Sequence, residues 1–548
     1  MTLASCLTRT ACLAALGLAP LPASAQALTW QVIAGESSTV VTPDLPASAS
    51  RVLYDIAVGD AGGTRYGFRA QGAASAEGYW AYSGSRLQRY AQLDASGSAG
   101  PGRSGAEAGH VFLSLREGGG SVAPDGQRSL AGRAGDPAAT LSATHGLWRW
   151  DGTRNIEFAR ASSDGALGPN LGTGWVFPNA SGFGQSRMLD AGQAVLLAEV
   201  TSPTGADSRI IARHVPDAGN QPCMRTGATE AALAPGLAPG DSFAPSALTL
   251  SRVGVARNGR IYARLPVSGS REGIFELCTG APLALAADNA AGALGPDIGI
   301  AGAIFTGFDS ITPQPSGDEG VVFFSNWRAP AGPTQRGLFR HDGTSNRGLA
   351  YTEPSGLHGP NWMNASWRSF DLDSLTVAGD SAAFVAGLDT ADGGDPTGLF
   401  RVRAGQSPQL VALLGLVGAP YEPEPGRTWR SFDAIAVFEN GDIVMEATTN
   451  PNATKDLWLL RAGRAPQRLL STGQVVRVPT PQGPADATIA SFDVPDGGAN
   501  YSDGSDDWIG ADGSLLLAAR DTGFRRLLIS ARAPVLPPGV VHRDGFEP

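Results

Sequence analysis

The chain has 548 residues, which is enough for several ordinary domains or for one large repeat array. Its 73 glycines and 39 prolines separate many short apolar runs, a pattern that indicates short strands with tight turns and excludes a disordered polymer. Acidic residues outnumber basic residues by 51 to 41 and no basic block occurs, so a nucleic-acid partner is excluded.

The N-terminal segment has the layout of a secretory signal peptide. Arg9 precedes an apolar stretch at residues 11–21, and Ala23-Ser24-Ala25 supplies the small residues of a cleavage site. We expect residues 1–25 to be removed and the mature chain to begin at Gln26; an untargeted alanine-rich leader is the alternative. No later segment approaches the roughly 20 apolar residues of a membrane helix. The sequence therefore predicts a soluble protein exported to the periplasm or beyond, without a membrane span.

The cysteines agree with export. Cys6 and Cys12 belong to the signal segment, so the mature chain keeps Cys223 and Cys278. Two cysteines in an oxidising compartment favour one disulfide, and the two occupy related positions in neighbouring repeats. Two separately buried thiols are the alternative.

Three short phrases recur in a fixed order along residues 50–533. The first is glycine, an apolar residue and an aromatic residue, often followed by arginine: it begins at Gly146, Gly273, Gly337 and Gly398, with looser copies at Gly78, Asp456 and Gly523. The second appears as Gly307-Phe-Asp, Ser369-Phe-Asp, Ser431-Phe-Asp and Ser491-Phe-Asp, at intervals of 62, 62 and 60 residues. The third is a turn followed by a strand, as in Asn258-Gly-Arg-Ile-Tyr-Ala and Asn440-Gly-Asp-Ile-Val-Met. A shared order and period makes coincidence improbable.

Each phrase has a physical interpretation. Asn-Gly supplies the positive backbone angles of a hairpin turn, and the apolar residues after it alternate along a half-buried strand. We expect the phenylalanine of Ser-Phe-Asp in the core, its aspartate on backbone amides of the turn, and the arginine of Gly-Leu-Phe-Arg in water. About 60 residues per repeat accommodate four strands, the size of one propeller blade.

The two chain ends carry complementary pieces of a repeat. The last repeat stops after its first phrase, near Ile529, whereas residues 27–77 lack that phrase but contain the later ones. We therefore predict an all-β propeller of about eight blades of four antiparallel strands across residues 26–533. It has seven sequential blades from about 78 to 522 and one composite blade from 27–77 and 523–532, closed by pairing of the N- and C-terminal strands, which removes exposed edges. Residues 534–548 form a Pro-rich linker and short tail; a sorting signal and a disordered terminus both remain open.

The turn-and-strand phrase resembles a degenerate form of the tandem NxxGxxAF repeat of exported bacterial proteins. The fragments Arg257-Asn-Gly-Arg-Ile-Tyr-Ala, Phe438-Glu-Asn-Gly-Asp-Ile-Val-Met and Ala382-Ala-Phe carry the resemblance, although the first two depart from the spacing between asparagine and glycine. The loops at Gly165-Ala-Leu-Gly-Pro and Gly292-Ala-Leu-Gly-Pro are also similar to loops of that family. The resemblance implies a propeller-like fold and an envelope or extracellular location. It implies no catalytic residues.

The sequence offers little support for a catalytic or transition-metal site. The six histidines form no close ligand pair, and His341 and His358 are expected in surface loops. Two acidic loops suit Ca²⁺ better, because carboxylate oxygens are the ligands it prefers. The stronger candidate consists of Asp503, Asp506 and Asp507, and the weaker is residues 389–395; solvated turns are the alternative for both. No other cofactor is expected.

Three tryptophans near Gly-Pro loops could stack on a flat ligand such as a sugar. They are Trp362, Trp367 and Trp429, and the last two belong to a repeated Trp-Arg-Ser-Phe-Asp phrase. Repetition at equal blade positions favours the alternative, which is core packing.

Two functions remain open. The first is a non-enzymatic binding or scaffold protein that presents propeller loops or a central channel to an envelope partner or polysaccharide. The second is a propeller hydrolase or lyase whose acidic and histidine residues converge from several blades, which need not be close in sequence.

Overall fold

The computed structural model describes residues 28–35, 49–59, 65–72, 77–83, 87–115, 121–123, 125–179, 183–244, 253–256, 259–309, 313–316, 320–352, 357–418, 421–451, 453–480, 482–494, 508–509 and 513–534. These residues are mainly strands and loops, and none of their helices is long and apolar enough to span a membrane. The short 3-10 turns include Gly97–Ala99, Gly105–Glu107, Thr140–Ser142, Gly165–Leu167, Asp190–Gly192 and Gly292–Leu294. The predicted all-β class is confirmed.

In the described part of the chain the strands form eight sheets, which we number as blades 1 to 8. The chain begins with β1 (Gln31–Gly35), which belongs to blade 8. Blade 1 contains β2 (Ala49–Gly59), β3 (Arg65–Gly72), β4 (Glu77–Ser83) and β5 (Leu87–Gln92). Blade 2 contains β6 (Val111–Leu115), β7 (Ser121–Val122), β8 (Arg128–Gly135), β9 (Thr144–Trp150) and β10 (Asn155–Arg160). Blade 3 contains β11 (Phe183–Met188), β12 (Ala194–Thr201), β13 (Asp207–Val215) and β14 (Gly219–Arg225). Blade 4 contains β15 (Val253–Val255), β16 (Ile261–Val267), β17 (Arg271–Leu277) and β18 (Leu283–Ala287).

The second half of the chain continues the same plan. Blade 5 contains β19 (Pro296–Asp297), β20 (Ile304–Phe308), β21 (Gln314–Ser316), β22 (Gly320–Arg328), β23 (Gln335–His341) and β24 (Asn346–Tyr351). Blade 6 contains β25 (Ser366–Ala378), β26 (Ser381–Asp389), β27 (Thr397–Arg403) and β28 (Gln409–Leu413). Blade 7 contains β29 (Thr428–Val437), β30 (Ile443–Asn450), β31 (Thr454–Leu460) and β32 (Gln467–Ser471). Blade 8 contains β33 (Val475–Val478), β34 (Ala485–Asp493), β35 (Ser514–Asp521) and β36 (Arg526–Arg532) together with β1.

Each blade is built on four antiparallel strands, which are successive in the chain except that β1 supplies the fourth strand of blade 8, and the fold is a β-propeller. Blade 6 illustrates the order, with β25 paired to β26, β26 to β27 and β27 to β28. The first strands of neighbouring blades contact one another, as β2 does with β7 and β25 with β29. First strands therefore lie toward the centre, and fourth strands lie toward the outside.

Apolar clusters hold consecutive blades together, from blades 1 and 2 through to blades 7 and 8. The second strands supply both faces of this packing because their side chains alternate. In β22, Phe323 packs toward blade 4 and Phe324 packs toward blade 6. Several second strands, namely β12, β22, β26 and β35, are therefore apolar at most positions.

The three repeated phrases correspond to three successive strands. Ser-Phe-Asp lies in the first strand, the turn-and-strand phrase leads into the second, and Gly-Leu-Phe-Arg lies in the third. The glycine of the Gly-Leu-Phe-Arg phrase has no room for a side chain. A Cβ on Gly337 would approach the Phe339 ring to 2.9 Å and the Ala350 carbonyl oxygen to 3.1 Å. The aromatic residue two positions later therefore requires glycine beneath its ring.

The arginine of the Gly-Leu-Phe-Arg phrase does not face water, so that expectation was wrong. Arg340 in blade 5 pairs with Asp380 in blade 6 at 2.6 Å between Nη2 and Oδ1. Arg401 in blade 6 donates from Nη1 to the Gly441 carbonyl oxygen in blade 7 at 2.8 Å. Both partners lie in the turn before the second strand of the following blade. The first and third phrases thus contact each other across the blade boundary.

The N- and C-terminal strands pair, but the composite blade has different members from those expected. β1 is antiparallel to β36, with Val32 opposite Ile529, and it also meets β33 in parallel at Gln31 and Arg477. Trp30 lies in the apolar cluster of blades 7 and 8 and donates its indole N–H to the Leu469 carbonyl oxygen at 3.1 Å. The β2 and β3 strands, at 49–72, join β4 and β5 in blade 1 instead. The N-terminus therefore contributes one outer strand to blade 8.

A disulfide joins Cys223 to Cys278, with a Cα–Cα distance of 4.7 Å. Cys223 lies in β14, the fourth strand of blade 3, and Cys278 follows β17, the third strand of blade 4. The bridge therefore connects two neighbouring blades near their outer strands.

Candidate functional site

The two ends of the propeller differ in their connections. In an antiparallel four-stranded blade, the connection to the next blade leaves from the same end as the turn between the second and third strands. We call this end of the molecule the loop end and the opposite end the turn end. Most connections between blades are long, as at residues 93–110, 288–303 and 414–427, and residues 494–513 form an equally long segment between the first and second strands of blade 8. Loops held by a rigid scaffold are the usual place for binding residues.

Aromatic side chains fix the base of these connections. The residue after a fourth strand pairs in parallel with an aromatic residue at the start of the next blade: Leu93 with Phe112, Ala161 with Phe177, Thr226 with Phe243, Asp288 with Phe305, and Leu414 with Trp429. Each of these aromatic residues is buried. Trp429 therefore occupies the position that phenylalanine holds in four other blades.

Ligand stacking is consequently wrong for two of the three candidate tryptophans. Trp367 and Trp429 are buried in apolar clusters, and their indole N–H groups donate to the carbonyl oxygens of His358 and Tyr421 at 2.8 and 2.7 Å. Their ring faces are covered by core side chains, which is the packing alternative. Trp362 is half-buried and packs against the cluster of blades 5 and 6, so it anchors its loop.

Three buried asparagines tie the fourth strand of one blade to the preceding connection. Asn155 Nδ2 donates to Tyr90 and Gly100, Asn220 Nδ2 to Phe158 and Gly168, and Asn346 Nδ2 to Leu285 and Gly295, in each case to the carbonyl oxygen at 2.7–3.2 Å. These bonds span neighbouring blades and explain the recurring Gly-Ala-Leu-Gly loops. These contacts, which we call the asparagine device, were not predicted from the sequence. Two of the three asparagines nevertheless end similar segments, Asp151-Gly-Thr-Arg-Asn and Asp342-Gly-Thr-Ser-Asn.

Two histidines belong to the same device. His214 Nδ1 lies 3.2 Å from Asn220 Oδ1 and His341 Nδ1 lies 3.1 Å from Asn346 Oδ1. Since each amide nitrogen already donates to carbonyl oxygens, the histidine is the donor to Oδ1. Burial lowers the pKa of His214 to about 4, and burial also lowers the pKa of His341. The surface-loop position expected for His341 was wrong, because the residue is buried in β23.

Charged groups beneath the loop end of blades 4 and 5 pair with one another. Arg264 Nη2 contacts Glu272 Oε1 at 2.9 Å, and Arg336 Nη2 contacts Asp309 Oδ1 at 3.1 Å. Burial raises the pKa of Asp309, whereas Arg336 and Arg264 oppose that rise. The aspartate of this Gly-Phe-Asp phrase therefore binds a guanidinium group, and the expected contact with turn amides was wrong.

A second charged group lies at equivalent positions in blades 7 and 8. Lys455 contacts Glu446 in the neighbouring strand and Asp493 in blade 8, the latter at 3.2 Å. Burial raises the pKa of Glu446, although its hydrogen bond with Lys455 opposes that rise. Glu446 Oε2 also accepts the Val494 N–H at 3.2 Å. This group therefore joins blade 7 to blade 8.

The loop end also carries exposed apolar side chains. Seven large apolar residues are exposed in the described part of the chain. Five lie in loop-end connections or turns, namely Ile300, Leu357, Met363, Val417 and Phe524, and Val475 begins β33 between blades 7 and 8. They come from consecutive blades between blade 4 and blade 8. The seventh, Leu283, begins the fourth strand of blade 4 at the turn end. Exposed apolar side chains of this kind mark interaction surfaces when they gather on one face.

The predicted calcium ligands have different outcomes. Asp503, Asp506 and Asp507 lie outside the described residues. In residues 389–395, Asp392 Oδ1 accepts hydrogen bonds from Thr390 Oγ1 and the Gly394 N–H, and Asp395 pairs with Arg368 at 2.7 Å. Within the described ranges, no group of three or more His, Cys, Asp or Glu side chains could hold a metal ion.

No protein-family model and no curated protein sequence matches the chain. Among solved structures, it is similar to the β-propeller domain of the Trilobed protease from Pyrococcus furiosus, at 8% identity and a TM-score of 0.33, over 76% of this chain and 98% of that one. It is also similar to the WD40 domain of SCAP from fission yeast, at 7% identity and a TM-score of 0.36, over 92% and 98%. A fucose-specific lectin from Aleuria aurantia gives 9% identity and a TM-score of 0.25, over 77% and 96%. These similarities are distant and indicate no function for this chain.

Proposed function

We propose that the chain is an exported binding or scaffold protein whose loop end docks onto a partner in the envelope or outside the cell. The observation that carries the proposal is the position of six exposed apolar side chains at one end of the propeller: Ile300, Leu357, Met363, Val417, Val475 and Phe524. Single exposed apolar residues are ordinary on a protein surface, but among the described residues six lie at one end and one at the other, which is a directional pattern.

The rigidity of the loop end supports the same proposal. Asn346 bonds to the connection that carries Ile300. Trp362 packs beneath the connection that carries Met363, and Trp429 bonds to the one that carries Val417. A surface that is already ordered loses less conformational entropy when it binds a partner.

The interior charged groups also favour a scaffold over a hydrolase or lyase. Arg264 pairs with Glu272, Arg336 with Asp309 and Lys455 with Glu446, so these groups stabilise blades and blade boundaries. His214 and His341 serve the asparagine device.

The test is a binding experiment with mature protein and matched variants. Solubilised envelope fractions and a glycan panel are passed over four immobilised proteins, with and without EDTA. The four are the mature chain and its variants Met363→Asp, Phe524→Asp and Leu283→Asp. A bound species is then purified and its affinity is measured for each variant. Since burying one such side chain contributes about 1.5–3 kcal/mol, each loop-end variant should bind roughly tenfold or more weakly.

Leu283→Asp is the control because it places the same charge at the turn end. It should bind as the wild-type chain does. Docking through the loop end is contradicted if all three variants bind with wild-type affinity, or if only Leu283→Asp binds more weakly.

A further inference from the structure

The loop at residues 357–365 presents one sulfur atom to solvent. Met363 is 72% exposed, whereas the other methionines of the described chain, Met188, Met224 and Met445, are each at most 2% exposed. Cys223 and Cys278 are bonded to each other. Oxidation of methionine follows exposure of the thioether, so the described sulfur atoms differ sharply in their access to an oxidant.

The loop is held so that Met363 points outward. Trp362 packs against the apolar cluster of blades 5 and 6, and the buried Ala365 donates its N–H to the Trp362 carbonyl oxygen at 2.8 Å. Met363 has a φ of +47°, between Asn361 at +49° and Asn364 at +56°. The chain bends sharply at these left-handed positions, and the Met363 side chain is exposed while the neighbouring Trp362 packs against the core.

We propose that Met363 is the site at which peroxides modify this protein, and that its oxidation weakens docking at the loop end. The thioether sulfur attacks one peroxide oxygen, a sulfur–oxygen bond forms and the oxygen–oxygen bond breaks. Sulfur loses two electrons and becomes the sulfoxide, and hydrogen peroxide is reduced to water. The second half of the proposal rests on the proposed function.

The expected effect on docking follows from the chemistry of the product. A sulfoxide replaces a flexible apolar side chain with a polar one, so its burial against a partner becomes less favourable. Sulfoxide reductases reverse the change, which makes the oxidation of Met363 a reversible control of the docking surface.

The first measurement is independent of any partner. The folded mature chain is treated with dilute hydrogen peroxide, and peptide mass spectrometry follows the sulfoxide at each methionine. Met363 should be oxidised about tenfold faster than Met188, Met224 and Met445, because only its sulfur is exposed. Similar rates at Met363 and at any of the three buried methionines overturn the assignment.

The second measurement uses the partner isolated with the untreated chain. Peroxide should weaken binding by the wild-type chain several-fold, and methionine sulfoxide reductase should restore it. Met363→Leu keeps an apolar side chain of similar volume and should bind before treatment and resist peroxide. Met224→Leu, which alters a buried methionine, should remain peroxide-sensitive.

The two proposals fail in different ways. Selective oxidation of Met363 without any loss of binding overturns the control of docking. Unchanged binding by both untreated Met363→Asp and untreated Phe524→Asp overturns the loop end as the docking surface.

Discussion

At the residue scale, a few buried polar side chains connect the blades. Asn346 provides an amide that no apolar residue can replace, because the carbonyl oxygens of Leu285 and Gly295 accept from it at 2.9 and 3.2 Å. Buried acceptors that lose their donor retain the cost of desolvation, which exceeds the net gain of an ordinary hydrogen bond.

Asn346→Ala should therefore lower the free energy of unfolding by roughly 2–3 kcal/mol. Urea denaturation measures the change, and Asn179→Ala, at an exposed loop position, is the control and should stay within about 0.5 kcal/mol of the wild type. Equal urea midpoints for the two variants would show that the asparagine device contributes nothing.

His214 gives the protein a specific dependence on pH. Its folded-state pKa is about 4, below the ordinary value of 6.5, because burial disfavours the charged imidazole. The unfolded chain therefore binds more protons between these values, so stability present above pH 6.5 is lost as the pH falls toward 4. The loss is at most about 3 kcal/mol.

The His214→Gln variant removes the titrating group. Its free energy of unfolding, measured by urea denaturation from pH 7 to pH 4, should fall less steeply than that of the wild type. Parallel curves for the two proteins would assign the acid sensitivity to other groups.

The candidate site was harder to predict than the individual residues that surround it. Trp429 was a candidate ligand platform because it lies near a Gly-Pro loop, and its recurrence already favoured core packing. The sequence does not show that phenylalanine takes its place in other blades. Asn346 and Arg401 act on neighbouring blades, and a contact between repeats leaves no local periodicity. Asp309 was assigned to turn amides because its guanidinium partner, Arg336, is distant in sequence.

At the scale of elements, the glycine phrase explains the third strand. The Phe339 ring and the carbonyl oxygen of Ala350 approach Gly337 so closely that any Cβ must displace the ring or the neighbouring strand. Crowding in a packed interior costs about 1–3 kcal/mol.

Gly337→Ala should accordingly lower the free energy of unfolding by about 1–3 kcal/mol. Gly109→Ala is the matched control, since a Cβ there meets nothing within 4 Å. Thermal and urea unfolding compare the two variants. A Gly337→Ala protein as stable as the control would mean that the glycine recurs for a reason other than the ring above it.

Strand identity was predictable because it depends on local patterns. Asn440-Gly and the apolar run after it form the turn and second strand of blade 7, as alternation and turn chemistry require. The grouping of strands into blades was less accessible, since the phrases repeat without marking where a unit begins. Counting from Gly78 placed β2 and β3 in the composite blade, whereas hydrogen bonding assigns them to blade 1.

At the scale of the whole molecule, the disulfide stabilises one blade boundary. Cys223 and Cys278 are 55 residues apart in sequence, so the bond restricts a long segment of the unfolded chain. The double variant Cys223→Ala, Cys278→Ala should lose about 2–4 kcal/mol of unfolding free energy, measured by urea denaturation. Unreduced wild-type protein is the reference, and a double variant of equal stability would contradict this contribution.

Pairing of β1 with β36 determines whether blade 8 has an exposed outer edge. The β1 strand covers the outer side of β36, and Trp30 secures it against the cluster of blades 7 and 8. An unpaired outer strand would invite pairing with another chain. The β1–β36 ladder therefore covers the outer edge of blade 8 with a strand from the N-terminus.

Amide hydrogen exchange of the mature protein, followed by mass spectrometry over residues 28–35 and 526–532, tests that claim most directly. We expect the amides of Gln31–Gly35 to exchange as slowly as those of β36, because both strands share one hydrogen-bonded ladder. Exchange of residues 31–35 at the rate of an unstructured peptide, with β36 still protected, would contradict it.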